Sequence, residues 1–579
     1  MTTTMTTRGG AWLIEEATEP HFTPERLSDE HRLIRQTAEE FVASEVLTVL
    51  DQLEQKDWTL ARALVRRSGD LGLLGTDVTE AYGGVELDKV ASIVVGEAVG
   101  RSASFATTFG AQTGLAITPL VCFGTEEQKQ RYLPGLVSGD IVGAYALSES
   151  GSGSDALGAK ARATRQADGS FVLSGEKMWI TNGGFADLFI VFAKVDGELF
   201  TAFLVERSFP GVSSGPEEHK LGLHGSSTTP LLLQDVRVPA SHVLGEVGRG
   251  HKVAFNVLNY GRFKLAAMCS GGAKLSIAEA AGYAVQRKQF GQPIASFGAI
   301  RHKLGEMTVR TYAIEAMLYR TAGLIDGQLQ GSHASDAVLS ALEEFAIEAS
   351  ILKVAASEML DFVLDENVQI HGGNGFVRDY PAERHFRDAR VNRIFEGTNE
   401  INRLLVPGML ARRAIKGGLP LIAAARRLQD ELLTPAPAEL PGDAPLERER
   451  RSVAAMKKVA LMVLGTAMQT YGDKLADEQE VLSGAADIII DTFAAESAVL
   501  RAAQTPAGLH ADAAAVIVND AAGRVELAAR QALAAMADGD MLRTLLAALR
   551  RVMKVAPVYT VALRRRLADA VAGQKGYPF

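Results

Sequence analysis

The sequence predicts a mostly α-helical protein interrupted in its middle by a β-domain. Three observations carry this. Apolar residues recur at helical spacing from Thr23 to about residue 140. The block 141–245 is rich in β-branched and aromatic runs, with a strong hairpin signal at Asp196-Gly197. Long helical periods then return from His251 to about Arg412. No helix of crossover length separates the strand runs, which disfavours a doubly wound nucleotide fold.

Taken in order, residues 1–24 read as a tail and 25–140 as a helical domain. Ser28 stands where a helix cap belongs, ahead of Leu33, Ile34, Ala38 and Phe41, and the turn cluster at 77–88 breaks the pattern. The middle domain, 141–245, offers strands at 170–182, 188–195, 198–206 and 231–239. A helical bundle follows over 246–412. Its first helix is expected to run to Gly291, with Arg287 and Lys288 in the last turn. The proline-rich segment TPAPAELPGDAP makes 413–445 a linker, and 446–579 is a helical extension rich in alanine.

The chain has 579 residues, 47% hydrophobic and 22% charged, which is ordinary globular composition. A net charge of -9 argues against nucleic acid as a partner. The two cysteines, Cys122 and Cys269, lie far apart, so neither a metal spacing nor a disulfide framework is visible. We read no secretory or mitochondrial leader and no run of roughly 20 apolar residues, and expect a cytoplasmic protein.

Several stretches could carry chemistry. SESGSGSDA (148–156) could present backbone N–H groups to a phosphate or to the polar edge of a flavin, or be a flexible turn. It is not a dinucleotide fingerprint, because strands follow it. KMWITNGG (177–184) puts Trp179 and Thr181 on one strand face, which suits a flat heterocycle or a half-buried sheet. The glycines of VQIHGGNGF (368–376) fit close approach to a ligand or a helix C-cap, and His371 has no metal-ligand partner in spacing. Gly261, between Asn259 and Arg262 in LNYGRF, costs a helix about 1 kcal/mol relative to alanine, which close approach to a neighbour or ligand, or simple helix–helix contact, would explain. In RIFEGTNEINR (393–403), Glu396 stands between apolar residues and Gly397. A carboxylate kept dry there becomes a base near neutrality; a solvated one does not.

In this order, YALSESGSGSDA, KMWITNGG, DVRVP with VLGE, LNYGRF, RKQFG, QIHGGNGF and RIFEGTNEINR resemble the acyl-CoA dehydrogenase family over about residues 25–412. The resemblance implies an N-terminal helical domain, a β-barrel-like middle and a C-terminal four-helix bundle, with non-covalent FAD. It assigns Tyr145, Ala146, Leu147, Ser148, Gly153, Ser154, Trp179, Ile180 and Thr181 to the cofactor. It adds Arg287, Phe290, Gln369, Ile370, His371, Gly372, Gly373, Thr398, Asn399 and Glu400, some of which reach a partner subunit's cofactor in the family. Ser154, Asn259, Arg262 and Gly397 match acyl-CoA contacts, and no metal is implied. Glu396 matches the catalytic base. Some relatives carry that base just before the arginine of LNYGRF, where this chain has Gly261. The implied reaction takes fatty acyl-CoA to trans-2-enoyl-CoA, with the base's backbone N–H and a flavin ribityl hydroxyl on the carbonyl oxygen. Electrons pass to an electron-transfer flavoprotein; the alternatives are an acyl-CoA oxidase or a non-catalytic assembly factor.

The extension resembles the very-long-chain branch, whose members are dimers, and implies a homodimer. Gly110 and Gly114, four apart, would share a helix face and leave a long acyl tunnel, or simply pack helices. In mitochondrial relatives the extension binds membrane; here 446–465 reads as an interfacial helix at a membrane surface or as an ordinary helix docked on its own subunit.

Overall fold

The computed structural model describes residues 8–16, 21–433, 444–505 and 507–579. The proline-rich residues 434–443 of the expected linker and parts of the expected tail lie outside them. Ser28 caps α1 (Asp29–Phe41) as expected, and the N3 residue His31 returns a bond to it. Next come α2 (Trp58–Asp70), α3 (Lys89–Val99) and α4 (Ala103–Gly110), then α5 (Glu126–Ser138). After Gly110 the chain widens into a π-helical stretch, Ala111–Ile117. The expected regular spacing of Gly110 and Gly114 on one α-helix is therefore altered.

The middle domain holds β1 (Gly143–Ala146), β2 (Arg162–Arg165), β3 (Phe171–Thr181), β4 (Leu188–Val195), β5 (Leu199–Glu206), β6 (Val212–Ser214), β7 (Thr228–Val238) and β8 (Val243–Leu244). They form one sheet in the order β6-β7-β3-β2-β4-β5-β8, with β1 parallel to β4. Asp196 and Gly197, both at positive φ, turn β4 into β5 as their sequence demands. Trp179 has φ 62°, and the β3–β7 register shifts between Lys177 and Ile180, so a bulge interrupts the strand there; Ile180 is buried between an exposed Trp179 and a half-buried Thr181.

The bundle is built on α6 (Gly250–Gln286), which ends before the expected Gly291. Gly291 and Pro293 favour a turn, and Lys288–Gln289 pairs with Gln292–Pro293 as a hairpin (β9 and β10) through Phe290 and Gly291 at positive φ. Then follow α7 (Gly298–Leu329), α8 (Ser335–Glu344), α9 (Ala346–His371), α10 (Ala382–Ala389) and α11 (Asn399–Ile415). Within the expected linker, LIAAARRLQDELL forms α12 (Leu421–Leu433), which buries Leu421, Ala424 and Leu428.

The extension consists of α13 (Glu447–Tyr471), α14 (Gln479–Ala502), α15 (Leu509–Met536), α16 (Gly539–Val552) and α17 (Thr560–Gln574). Its core is continuous with that of the bundle. Of the two readings of 446–465, the docked helix is the one found: Val453, Met456, Val459, Val463 and Leu464 are buried. The N-terminal stretch docks too, with Trp12 Nε1 donating to Glu348 Oε1 at 3.1 Å and its ring 4.7 Å from that of Phe493 in the extension. Among the described residues no helix is long and apolar enough to cross a membrane.

Candidate active site

The site forms where a loop returns the chain to the middle of α6. Glu396 (φ 56°) and Gly397 (φ 78°) are consecutive left-handed residues, and Thr398 then caps α11 by accepting from the Ile401 N–H at 3.2 Å. Glycine makes the second of these easy; at Glu396 the surroundings must hold the strained backbone. They do so through its carbonyl, which accepts from Arg262 Nε at 3.1 Å and Asn402 Nδ2 at 3.3 Å. The same Asn402 amide reaches the Gly397 and Thr398 carbonyls at 2.9 and 3.0 Å.

The Glu396 carboxylate lies against Gly261: a Cβ built on that glycine would sit 2.7 Å from Oε2. Although the residue as a whole is only half-buried, Oε2 is enclosed and has no hydrogen-bond partner. Desolvation raises its pKa from 4.5 to about 7, against the pull of Arg262 and Lys353. Lys353 is itself buried on α9, where desolvation lowers it to about 8, and it donates to Asn399 Oδ1 at 2.6 Å.

Glu396 opens onto a cavity of about 100 Å³ walled by Thr181, Gly261, Lys264, Met268, Gly110 and Gly114 among others. A larger cavity of about 390 Å³ lies between α1, α3, α6 and the C-terminal residues. Three of its charged walls pair with one another, Lys274 with Glu97 and Glu315, and it contains none of the motif residues, so the smaller cavity is the candidate for the chemistry.

The structure thus brings Thr181, Glu396 and Gly397 together with Arg262, whose NH1 donates to Asn259 Oδ1 at 3.1 Å. Tyr145 lies close enough that the Glu396 charge adds to the burial that raises its hydroxyl well above the ordinary value. Leu147 and Ser148 leave β1 for an exposed loop carrying Gly153 and Ser154, and Trp179 is 57% exposed. Ala146, Ile180 and Ile370 are core side chains, so only their backbone can face a ligand. A second group stands apart, at the ends of α6 and α9: Arg287, Phe290, Gln369, Gly372 and Gly373 are exposed there, beside a buried His371 whose ring lies 4.2 Å from that of Tyr283. Asn399 is buried beneath the first turn of α11, and Glu400 is exposed on it.

Known families match the chain in four blocks: "Acyl-CoA dehydrogenase, N-terminal domain" over 28–140, "middle domain" over 144–236, and two patterns described as "C-terminal domain" over 248–410 and 455–551. A Bacillus subtilis protein named "Probable acyl-CoA dehydrogenase" is 46% identical over 584 residues, covering 98% of each chain. This chain belongs to the acyl-CoA dehydrogenase family. A crystal structure of an acyl-CoA dehydrogenase complexed with FAD from Bacillus anthracis superposes with a TM-score of 0.97 at 47% identity, over 99% of this chain and 100% of that one. The bovine mitochondrial very long-chain specific acyl-CoA dehydrogenase is 37% identical across 79% of this chain and 71% of its own length.

Around this acyl-CoA dehydrogenase site, sequence reasoning missed Lys353, Asn402 and Lys264. Lys353 carried a faint signal, a lone cation in the apolar run SILKVAA. Asn402 carried none, since its three carbonyl partners come from a turn whose geometry only the fold defines. Lys264 sits one turn beyond Gly261 on α6, buried over the Tyr260 ring at 4.9 Å, and desolvation lowers it to about 8.

Proposed function

We propose that this protein is an FAD-dependent acyl-CoA dehydrogenase of fatty acid β-oxidation. It converts long-chain fatty acyl-CoA to trans-2-enoyl-CoA with Glu396 as base, and passes electrons to an electron-transfer flavoprotein. The observation that carries this reading is the enclosed, unpartnered Glu396 Oε2 facing a narrow cavity.

The proton beside a thioester carbonyl is a very weak acid, so its removal needs a dry base and a polarised carbonyl. Glu396, brought to about 7 by desolvation, is a base matched to neutral pH. In this reading it takes the α-proton, and its own backbone N–H holds the carbonyl oxygen. Arg262 and Asn402 keep the loop rigid by donating to its carbonyls, which fixes the base relative to the substrate. Ser154, Asn259, Arg262 and Gly397 are the residues assigned to acyl-CoA contact.

The residues around the cavity fit a flavin. Thr181 offers a hydroxyl beside Glu396, Tyr145 Oη is buried without a partner, and a Cβ on Gly153 would meet nothing within 4 Å, which leaves the loop backbone open. When bound, FAD supplies the acceptor for the hydride that leaves the β-carbon. Tyr145 to Ser148, Gly153, Ser154 and Trp179 to Thr181 would hold it from this subunit. Arg287, Phe290 (93% exposed), Gln369, Gly372 and Gly373 are proposed to meet the cofactor of a second copy, which makes the working unit a homodimer.

The small residues Gly110 and Gly114 on the cavity wall support a long acyl chain. Anaerobic bleaching of the bound flavin by acyl-CoAs from C4 to C20, with Glu396→Gln as control, tests the reading. Bleaching that peaks at long chains and vanishes in the variant supports it. A colourless protein that takes up no FAD, or a variant that bleaches at the parental rate, ends it. Reoxidation faster with electron-transfer flavoprotein than with oxygen is the expected preference.

A further inference from the structure

The loop that carries Glu396 leads into α11, whose first two turns present Asn399 and Arg403 four residues apart on one face. Both grip the same carboxylate on α9. Asn399 Nδ2 donates to Glu358 Oε1 at 3.0 Å, while Arg403 NH1 and NH2 donate to Glu358 Oε1 and Oε2 at 2.6 and 2.8 Å. The remaining nitrogen of that guanidinium, Nε, donates to Asp487 Oδ1 at 2.8 Å. Asp487 lies on α14, in the C-terminal extension. A continuous set of bonds therefore runs from the extension through Arg403, Glu358 and Asn399 to the residue three beyond Glu396.

We propose that the C-terminal extension positions the Glu396 loop, with Asp487 and Arg403 as positioning residues for removal of the α-proton. The inference rests on the reading of Glu396 as the base. Glu396 and Gly397 have no regular structure of their own, and besides Arg262 from α6 it is Asn402, on α11, that holds their left-handed backbone, so the seating of α11 bears on it. A guanidinium engaged at all three nitrogens is fixed in rotation as well as in place. Without Asp487 it keeps its fork on Glu358 but can pivot, and the first turn of α11 pivots with it.

The ion pair itself is partly exposed, with the Arg403 side chain 19% and the Asp487 side chain 47% accessible, so its contribution to overall stability is small. Catalysis, by contrast, is sensitive to sub-ångström misplacement of a base. The expected signature is a loss of rate without a matching loss of fold. The titratable and charged groups around Glu396 are Arg262 and, on the cavity wall, Lys264 from α6, Lys353 from α9 and Tyr145 from β1, with Glu400 in the first turn of α11 acting on Lys353. Asp487 and Arg403 are not among them, so they act by geometry rather than by direct charge.

The test compares flavin-loaded parent, Asp487→Ala, Arg403→Lys and Asp487→Glu in anaerobic single-turnover bleaching by palmitoyl-CoA across pH, with thermal melts and Glu396→Gln as control. The expected bleaching rate falls about 5-fold in Asp487→Ala and about 10-fold in Arg403→Lys, with half-saturation changed less than about twofold. The acidic limb of the pH profile moves to lower pH as water reaches the carboxylate, and Asp487→Glu restores both. Parental rate and an unmoved limb in Asp487→Ala and Arg403→Lys overturn the inference. So does a loss that matches lost folded, flavin-loaded protein. If Glu396→Gln bleaches at the parental rate, the base assignment fails and the inference falls with it. If Glu396→Gln is inactive while Asp487→Ala is parental, the positioning inference alone fails.

Discussion

Glu396 and Gly261 are 135 residues apart in sequence, yet the carboxylate of one fills the place where the side chain of the other would begin. A Cβ on Gly261 would lie 2.7 Å from Oε2, 2.9 Å from Cδ and 3.0 Å from Oε1 of Glu396. The glycine in LNYGRF is therefore a steric requirement of the carboxylate, which explains why α6 tolerates a residue that weakens helices. Two positions that could each carry an acid converge on one point, and only one of them can be occupied by a side chain.

Gly261→Ala should displace the carboxylate without disturbing the rest of α6, because alanine is the better helix former. Flavin bleaching by acyl-CoA is expected to slow by about 10-fold or more, with flavin content and melting temperature close to the parent. Parental bleaching would mean that the carboxylate works from some other place than the one it occupies beside Gly261.

Glu396 titrates in an unusual direction for an acid, and the sign has two consequences. Its folded pKa of about 7 exceeds the ordinary 4.5, so the ionised form that the proposed base role requires is populated only as pH rises through about 7. The acidic limb of kcat/KM should be centred near pH 7. Ionising a carboxylate that the fold prefers neutral also costs stability above pH 4.5, reaching about 3 kcal/mol above pH 7. Glu396→Gln should therefore lose roughly 10³-fold or more in activity and yet be more stable than the parent at pH 8. Urea unfolding at pH 5 and pH 8 checks this; a variant destabilised equally at both would sink the assignment of a dry carboxylate.

Gly110 stands where a side chain would meet Met268 Cε at 3.1 Å, and both residues wall the cavity. Gly110→Leu should fill that space. Activity on C16 acyl-CoA should then drop at least about 5-fold more than activity on C8, measured as kcat/KM with the same acceptor. Equal loss on both would leave Gly110 a packing residue only.

How far the sequence reaches is clearest where local signals and contacts diverge. Asp196-Gly197 gave its hairpin, and Ser28 its cap, because each depends on residues close by in the chain. The sequence places the end of α6 at Gly291, but the helix stops at Gln286 because the residues around Gly291 pair as a short hairpin. The bulge at Trp179 and the π-helical stretch after Gly110 left no trace, since both arise from packing between elements. The same holds in the site: Glu396 was legible from its motif, whereas Asn402 on the loop carbonyls and the Arg403–Asp487 bond depend on how α11 is seated.

The extension is joined to the bundle by buried charge as well as by apolar packing, and that junction should respond to acid. Arg501 on α14 and Glu315 on α7 pair at 2.6 Å with both side chains almost wholly inaccessible. Glu315 also accepts from Lys274 at 2.6 Å and from Tyr577 Oη at 2.9 Å, while Arg501 reaches Glu25 at 2.6 Å. Burial alone would push the Glu315 carboxyl up, but Arg501 and Lys274 more than reverse it and bring it down to about 2. A lowered acid pKa adds stability that is complete above about pH 4.5 and is lost as pH falls toward 2. Removing the carboxylate is worse than protonating it, because Arg501 stays buried, and Lys274 half-buried, with fewer partners. Glu315→Ala should cost about 3–5 kcal/mol at pH 7, read by urea unfolding. Its melting temperature should fall less steeply than the parent's between pH 4.5 and pH 3. A loss below about 1 kcal/mol would show that Glu25 and Glu97 alone can satisfy the two cations, and that the junction is held by its apolar contacts.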